Sequence, residues 1–208
     1  MGRTSAFTEV QEATKVLASN VRGLAQGDSK LGLSEVGGAA KEALTPLMPL
    51  IDRAEKNANY VLGQKQTLTQ VSQALREVNG QSSELLDLAE GIANTRIEKG
   101  GVSPAESSAL NQLVMLTQRI GKSANEFLTV EGVSTEAVFL LGKDLNAFKE
   151  TAEGLLNGNH ELKLTRATDP AVREQLDALL KLFERTRTQS SYILGSLQGL
   201  VEIGRAHV

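Results

Sequence analysis

The chain has only two tyrosines, and both lie in the same short sequence frame. Residues 57–63 read NANYVLG, and residues 189–195, 132 positions later, read QSSYILG. The similarity extends upstream, because the leucines of 42–63 recur at the same spacing in 174–195, and Asp52 and Arg53 meet Glu184 and Arg185. A sequence repeat implies that the same structural unit occurs twice, so this duplication is the strongest constraint on the fold.

A second pair of segments extends the repeat towards the N-terminus. Residues 23–33 read GLAQGDSKLGL and residues 154–164 read GLLNGNHELKL, now at an offset of 131. One residue is therefore gained in the intervening segment. The match covers helix, loop and helix, and it predicts a duplicated module.

The composition excludes several classes of function. The chain has no cysteine, 3% aromatic residues and a net charge of −3, which leaves no disulfides, no thiolate metal site and no basic surface for nucleic acid. Its longest clean apolar run, 137–141, is far shorter than the roughly 20 residues that span a bilayer. No histidine pair has metal spacing, and His160 beside Glu161 is expected to be a solvated loop residue. We therefore expect no enzyme activity and no cofactor.

Apolar residues recur in alternating steps of three and four, which is typical of helices that pack through one face. Ser103, Ser134 and Asp169 are predicted N-caps, and Pro46 and Pro49 are expected to bend the start of their helix. We predict helices at 5–26, 38–79, 81–99, 103–131, 134–157 and 169–202, and no strand. The predicted fold class is all-α, with two tandem four-helix-bundle modules that share long helices.

The two copies are not equally complete. The helix predicted at 103–131 precedes the second copy, whereas almost nothing precedes the first copy, so the first module is expected to lack its first helix. The predicted domains are an incomplete first module at 5–79 and a second module at 57–201 that shares the long helix 38–79. Back-translation of residues 202–208 contains the start of a sequencing adapter, so this tail is expected to be adapter-derived.

Tyr60 and Tyr192 occupy equivalent points of the two long helices, and each is followed by a glycine, Gly63 or Gly195. The structural interpretation is that each tyrosine packs at the end of a bundle while the glycine permits close helix approach. A ligand contact is the alternative, and Tyr192 is kept as a candidate for it.

Residues 110–128 read LNQLVMLTQRIGKSANEFL. This segment resembles the N-terminal sensor domain of type IV pili methyl-accepting chemotaxis transducers, the PilJ-type domain, whose helix reads close to N-x-A-G-R-Q-R-M-L-S-Q-R-I-A-K. Thr117 stands where the family has serine, and residues 139–159 are also similar to the family. The positions that keep the pattern are Asn111, Met115, Leu116, Gln118, Arg119, Ile120 and Lys122.

The resemblance covers 5–201 and implies the periplasmic sensor region of a type IV pilus chemoreceptor. Such a region binds a ligand or pilin and signals to a kinase pathway that controls twitching motility. The parent protein is then expected to be membrane-anchored and homodimeric. The ligand-binding candidates are Asn111, Gln118, Arg119, Lys122 and Tyr192, and no catalytic or metal-binding residue is expected.

Two alternatives stay open. Related modules of sensor histidine kinases bind a small anion through arginines on this helix, but here Gln112 and Val114 replace the Gly and the Arg of the pattern. Arg119 remains, and a single mid-helix arginine is more typical of a surface or interhelical salt-bridge residue than of an anion ligand. A structural or assembly protein built from the same heptads is the other alternative. Polar residues at the seam, such as Lys65 and Thr186, favour the sensor.

Overall fold

The structure is a computed structural model that describes residues 4–129 and 132–196, and this part of the chain is all-α, as predicted. Its helices are α1 (Thr4–Gln26), α2 (Gly38–Leu44), α3 (Met48–Gly63), α4 (Lys65–Lys99), α5 (Pro104–Glu126), α6 (Thr135–Asn157) and α7 (Pro170–Gly195). None of these described helices combines the length and the apolar character needed to cross a membrane.

Three helices begin where the capping residues predict. The Ser103 hydroxyl accepts a hydrogen bond from the backbone N–H of Glu106 at 3.1 Å, and Pro104 occupies the first turn of α5. The Ser134 hydroxyl accepts from the N–H of Ala137 at the start of α6. The Asp169 carboxylate accepts from two N–H groups at the start of α7. These side chains satisfy donors that a helix start leaves without partners.

Other predicted boundaries are wrong. The long helix predicted at 38–79 is interrupted by a 3₁₀ turn at Thr45–Leu47, where Pro46 lacks the N–H that an α-helix requires, and again at Gln64. No break occurs at Gly80, because a mid-helix glycine costs only about 1 kcal/mol and the turns around it are buried against the core.

The helix predicted at 103–131 ends earlier, at Glu126. The segment that follows forms a small antiparallel ribbon of β1 (Leu128–Thr129) and β2 (Gly132–Val133), so the expectation of no strand is wrong here. The predicted end of the last helix at 202 and the predicted adapter tail at 202–208 lie outside the described residues.

The helix boundaries repeat with the sequence. α1 and α6 both have 23 residues, and both their first and their last residues match at the offset of 131. α3 ends at Gly63 and α7 at Gly195, which match at the offset of 132. Among the described residues, and apart from its own helix backbone and chain neighbours, a methyl group added to either glycine would meet no atom within 4 Å. These glycines therefore mark helix ends in the described structure, and the predicted role in close helix approach is not seen there.

The two loops of the repeat have the same turn. Asp28 and Leu33 exchange two backbone hydrogen bonds of 2.8 and 2.9 Å, and so do Asn159 and Leu164. The glycine before each turn has a positive φ, 77° at Gly27 and 88° at Gly158. Residues that match at the 131-residue offset in the sequence therefore also have the same backbone conformation in these turns.

The described residues divide into two compact units, 4–70 and 71–196. In the first unit α1 packs against α3, and the core is small. In the second unit the rest of α4 shares a core with α5, α6 and α7. The fully buried large side chains of this core are Leu75, Leu85, Ile92, Leu113, Leu116, Ile120, Phe127, Leu141, Phe148, Leu176, Leu179 and Phe183.

Candidate functional site

Polar side chains interrupt the apolar core of the second unit. All four of its helices contribute at least one, and we call the following set the polar layer: Gln81, Ser82, Ser123, Asp144 and Thr186. Each of these side chains is at most 8% exposed. Because burial of a polar group is unfavourable unless it is hydrogen-bonded, such a cluster is a candidate for a functional role.

Contacts between the helices show that these residues lie at a similar level along the helix axes. Thr186 of α7 donates to the Gln81 side-chain oxygen of α4 at 2.9 Å, and Asn125 of α5 donates to Asn79 of α4 at 3.0 Å. Arg119 of α5 contacts Asp144 of α6. With a rise of about 1.5 Å per residue along each helix, the members lie within about one turn of a common cross-section.

Arg119 and Asp144 form an ion pair between α5 and α6. A guanidinium nitrogen of Arg119 lies 2.9 Å from one carboxylate oxygen of Asp144. Asp144 is 1% exposed, and its other oxygen has no hydrogen-bond partner among the described residues. The Arg119 side chain is 39% exposed, so the pair connects the buried layer to solvent.

The electrostatics of Asp144 reflect this position. Burial raises the pKa of Asp144 above its ordinary value, because a charged carboxylate is poorly solvated there. Arg119 opposes that rise through its charge and hydrogen bond, and Lys143 opposes it more weakly. Burial has the larger effect on the pKa. Because Arg119 offsets part of that effect, a change at Arg119 should alter how readily Asp144 carries its charge.

Four of the five predicted ligand-binding residues lie on α5. Asn111, Gln118 and Lys122 are exposed and, together with the exposed Met115, follow steps of four, three and four residues along one helix face. We call these four residues the α5 stripe. It extends about 16 Å along the helix at 1.5 Å per residue. Arg119 lies beside Gln118 at its edge, and Lys122 is 3.9 Å from Glu126.

The structure does not bring Tyr192 into this group. Tyr192 is 40% exposed and lies on α7, near the end of that helix. The depressions on α6 and α7 that the described structure contains at Thr168–Lys181 and Asn146–Asn159 are lined by none of the five predicted residues. His160 is exposed in the turn between α6 and α7, and the described residues contain no cluster suited to a metal ion.

Asp144 was not among the functional residues predicted from the sequence. A signal was present, because Leu141, Asp144, Leu145 and Phe148 follow the three- and four-residue steps of a buried helix face. A carboxylate at such a position is rarely buried without a partner, and Arg119 on the preceding helix was the available cation. The interpretation of Arg119 as an interhelical salt-bridge residue agrees with the structure.

Comparisons with known proteins point to one family. The family model described as "Type IV pili methyl-accepting chemotaxis transducer N-term" matches residues 1–76 and 111–207. "Protein PilJ" of Pseudomonas aeruginosa is 24% identical over 206 residues. That alignment covers 97% of this chain and 28% of the relative, so the chain spans little more than a quarter of that protein's length.

Proposed function

Because this chain belongs to the family of type IV pili methyl-accepting chemotaxis transducer N-terminal domains, we propose that it is the periplasmic sensor region of a type IV pilus chemoreceptor. In this proposal residues 5–79 and 57–201 are the two modules, and the parent protein is membrane-anchored and homodimeric. Binding of pilin to the sensor region changes the activity of a kinase pathway that controls twitching motility.

The Arg119–Asp144 ion pair is the observation that best supports a sensory role. It joins an exposed edge of α5 to a buried carboxylate on α6. A partner that withdraws Arg119 leaves Asp144 buried without its cation, which disfavours the present arrangement of α5 against α6. Binding and helix displacement are thereby coupled, since a ligand shifts a conformational equilibrium by its difference in affinity for the two states.

The shape of the α5 stripe favours a protein partner over a small molecule. Its amide, thioether and ammonium groups follow one line on a convex helix surface, whereas small ligands are generally enclosed in concave pockets. Anion sensing is less well supported, because the charge of Arg119 is already paired with Asp144. Family membership likewise favours a sensor over a structural filament.

Direct binding tests the proposed partner. The purified chain is titrated with the soluble domain of the major pilin from the same organism, and Lys122→Glu is compared with Lys143→Glu. Both lysines are exposed, and the two variants have the same net charge, but only Lys122 belongs to the α5 stripe. We expect Lys122→Glu alone to weaken binding by about tenfold, which corresponds to roughly 1.4 kcal/mol. Equal effects of the two variants, or no binding by the unmodified chain, would contradict the proposal.

Signalling requires a longer protein. Residues 1–201 replace the matched segment of Pseudomonas aeruginosa PilJ, and twitching zones are measured for the hybrid with and without Asp144→Asn. We expect the hybrid to support twitching and Asp144→Asn to change its extent, because the substitution uncouples α5 from α6. A hybrid that is present in the membrane but unaffected by Asp144→Asn would refute the coupling.

A further inference from the structure

The first unit exposes apolar side chains that a folded module normally buries. In its described helices only Ala18 and Ile51 are buried hydrophobic residues. Large apolar side chains that are 41–58% exposed occur instead on α1, on α3 and in the segments that connect them: Val10, Val16, Leu17, Leu31, Leu47 and Leu50. Single exposed apolar residues are ordinary, but a contiguous group of them usually marks an interaction site.

The repeat shows what these positions do when a module is complete. Leu17 is 49% exposed, and Phe148, at the matching position of α6, is 0% exposed. Leu47 is 42% exposed, and Leu179, at the matching position of α7, is 0% exposed. The same difference separates Val10 (41%) from Leu141 (0%) and Leu50 (50%) from Leu182 (9%). The apolar pattern is therefore present in both copies, but it is buried in only one.

In the second unit two other helices cover this face. α5 packs along α6 and forms the Arg119–Asp144 ion pair with it. α4 contacts α7 through the Thr186–Gln81 hydrogen bond and the Gln175–Thr95 hydrogen bond. Within the described part of the first unit, α1 and α3 pack on each other, and Arg22 joins them through Asp52 and Glu55. This pair matches α6 and α7, and the described first unit contains no counterpart of the α4–α5 hairpin. Two helices are therefore without a counterpart there, whereas the sequence predicted that one would be.

We propose that the exposed face of α1 and α3 is a docking surface for a helical hairpin of the α4–α5 type, supplied from outside residues 4–196. The chemistry of the hairpin follows from its counterpart. It presents leucine and isoleucine at three- and four-residue spacing, as Leu113, Leu116 and Ile120 do on α5. This inference is independent of pilin binding and of signalling.

The α4–α5 hairpin of the second unit can itself be used to test this proposal. α1 begins at Thr4 and α6 at Thr135, which match at the 131-residue offset, so residues 71–134 joined directly to Thr4 place a second α4–α5 hairpin in the correct register. Hydrogen–deuterium exchange is compared between this grafted protein and the unmodified chain. The control graft carries Leu113→Ser, Leu116→Ser and Ile120→Ser in the added segment only.

We expect the graft to slow amide exchange in α1 and α3 at least tenfold and to raise the helical circular dichroism signal, and the control graft to do neither. In the grafted protein Leu17→Glu should reverse the slowing. A graft that gains no helix, or that leaves exchange in α1 and α3 unchanged, overturns the proposal. So does a dimer of the unmodified chain in sedimentation velocity that Leu17→Glu dissociates, because a second copy would then be the occupant.

Discussion

Replacing Phe148 with alanine should destabilise the second unit by about 3–5 kcal/mol, the usual cost of removing a buried phenylalanine side chain. Phe148 is 0% exposed, and its ring stacks on Phe183 with the centroids 4.6 Å apart and the planes 19° from parallel. The substitution loses both the buried area and the ring pair, and a stacked pair contributes about 0.5–1.5 kcal/mol beyond its area. Because Phe148 is fully buried in a close-packed core, the resulting cavity is expected to collapse only in part.

The repeat provides a matched control for this change. Leu17 occupies the equivalent position of α1 but is 49% exposed, so Leu17→Ala removes less buried area and leaves no enclosed cavity. We expect it to cost less than about 1 kcal/mol, since a side chain that remains half in water loses little transfer free energy. The two substitutions thus compare the same position of the repeat where it is buried, on α6, and where it is half-exposed, on α1.

The assay must resolve the two units, because they need not unfold together. Urea unfolding is therefore followed by hydrogen–deuterium exchange of peptides from α6 and α1 separately. A cost below about 1.5 kcal/mol for Phe148→Ala, well under the range for a buried aromatic residue, would refute the inferred packing. An equal cost for Leu17→Ala would show that the α1 face is already covered in the chain as it stands.

Three further substitutions probe the polar layer and the turn. Burial raises the pKa of Asp144 in the folded state, so the folded protein retains this proton to higher pH. The contribution of Asp144 to the free energy of unfolding therefore falls as pH rises from 3.8 towards its folded-state pKa, and in urea titrations Asp144→Asn should remove this contribution. Thr186→Val leaves the buried Gln81 oxygen without its donor and should lower the free energy of unfolding by about 1–3 kcal/mol. Gly158→Ala forces a side chain onto a φ of 88° and should lower the melting temperature, at a cost of about 1–3 kcal/mol.

Each of these variants has a control or a contradicting result. Parallel pH profiles for the wild type and Asp144→Asn would show that Asp144 does not titrate differently in the folded state. Thr188→Val removes an exposed hydroxyl that bonds only within its own helix, and it should change stability by less than about 0.5 kcal/mol. Gly142→Ala, at a helical position with open space, should stabilise the protein by up to about 1 kcal/mol. A Gly158→Ala protein as stable as Gly142→Ala would contradict the argument from backbone strain.

The repeat and the capping residues made the helices largely predictable. Ser103, Ser134 and Asp169 are local signals, because each satisfies donors within three residues of itself. The break at Gln64 has no such signal, and the expected break at Gly80 does not occur, because buried neighbours outweigh the weak helix propensity of glycine. Boundaries that depend on tertiary packing could not be derived from the local sequence.

The candidate site was only partly predictable. The family pattern identified Gln118, Arg119 and Lys122, and the helical period correctly implies that Gln118 and Lys122 share a face. The partner of Arg119 lies 25 residues further along the chain on another helix, so the ion pair depends on how α5 and α6 align. Nothing in the spacing of residues along one helix specifies that alignment.

The twin turns also bear on how such a module can diversify. Both copies keep the positive-φ glycine, the Asp or Asn that follows it and the closing leucine, yet Ser29-Lys30 in one corresponds to His160-Glu161 in the other. A lysine at the tip of one turn thus corresponds to a glutamate in the other, while the backbone hydrogen bonds of the two turns are the same. Point substitutions at these two positions can therefore give each copy a different surface chemistry without refolding, so a duplicated gene can acquire two specificities from one scaffold.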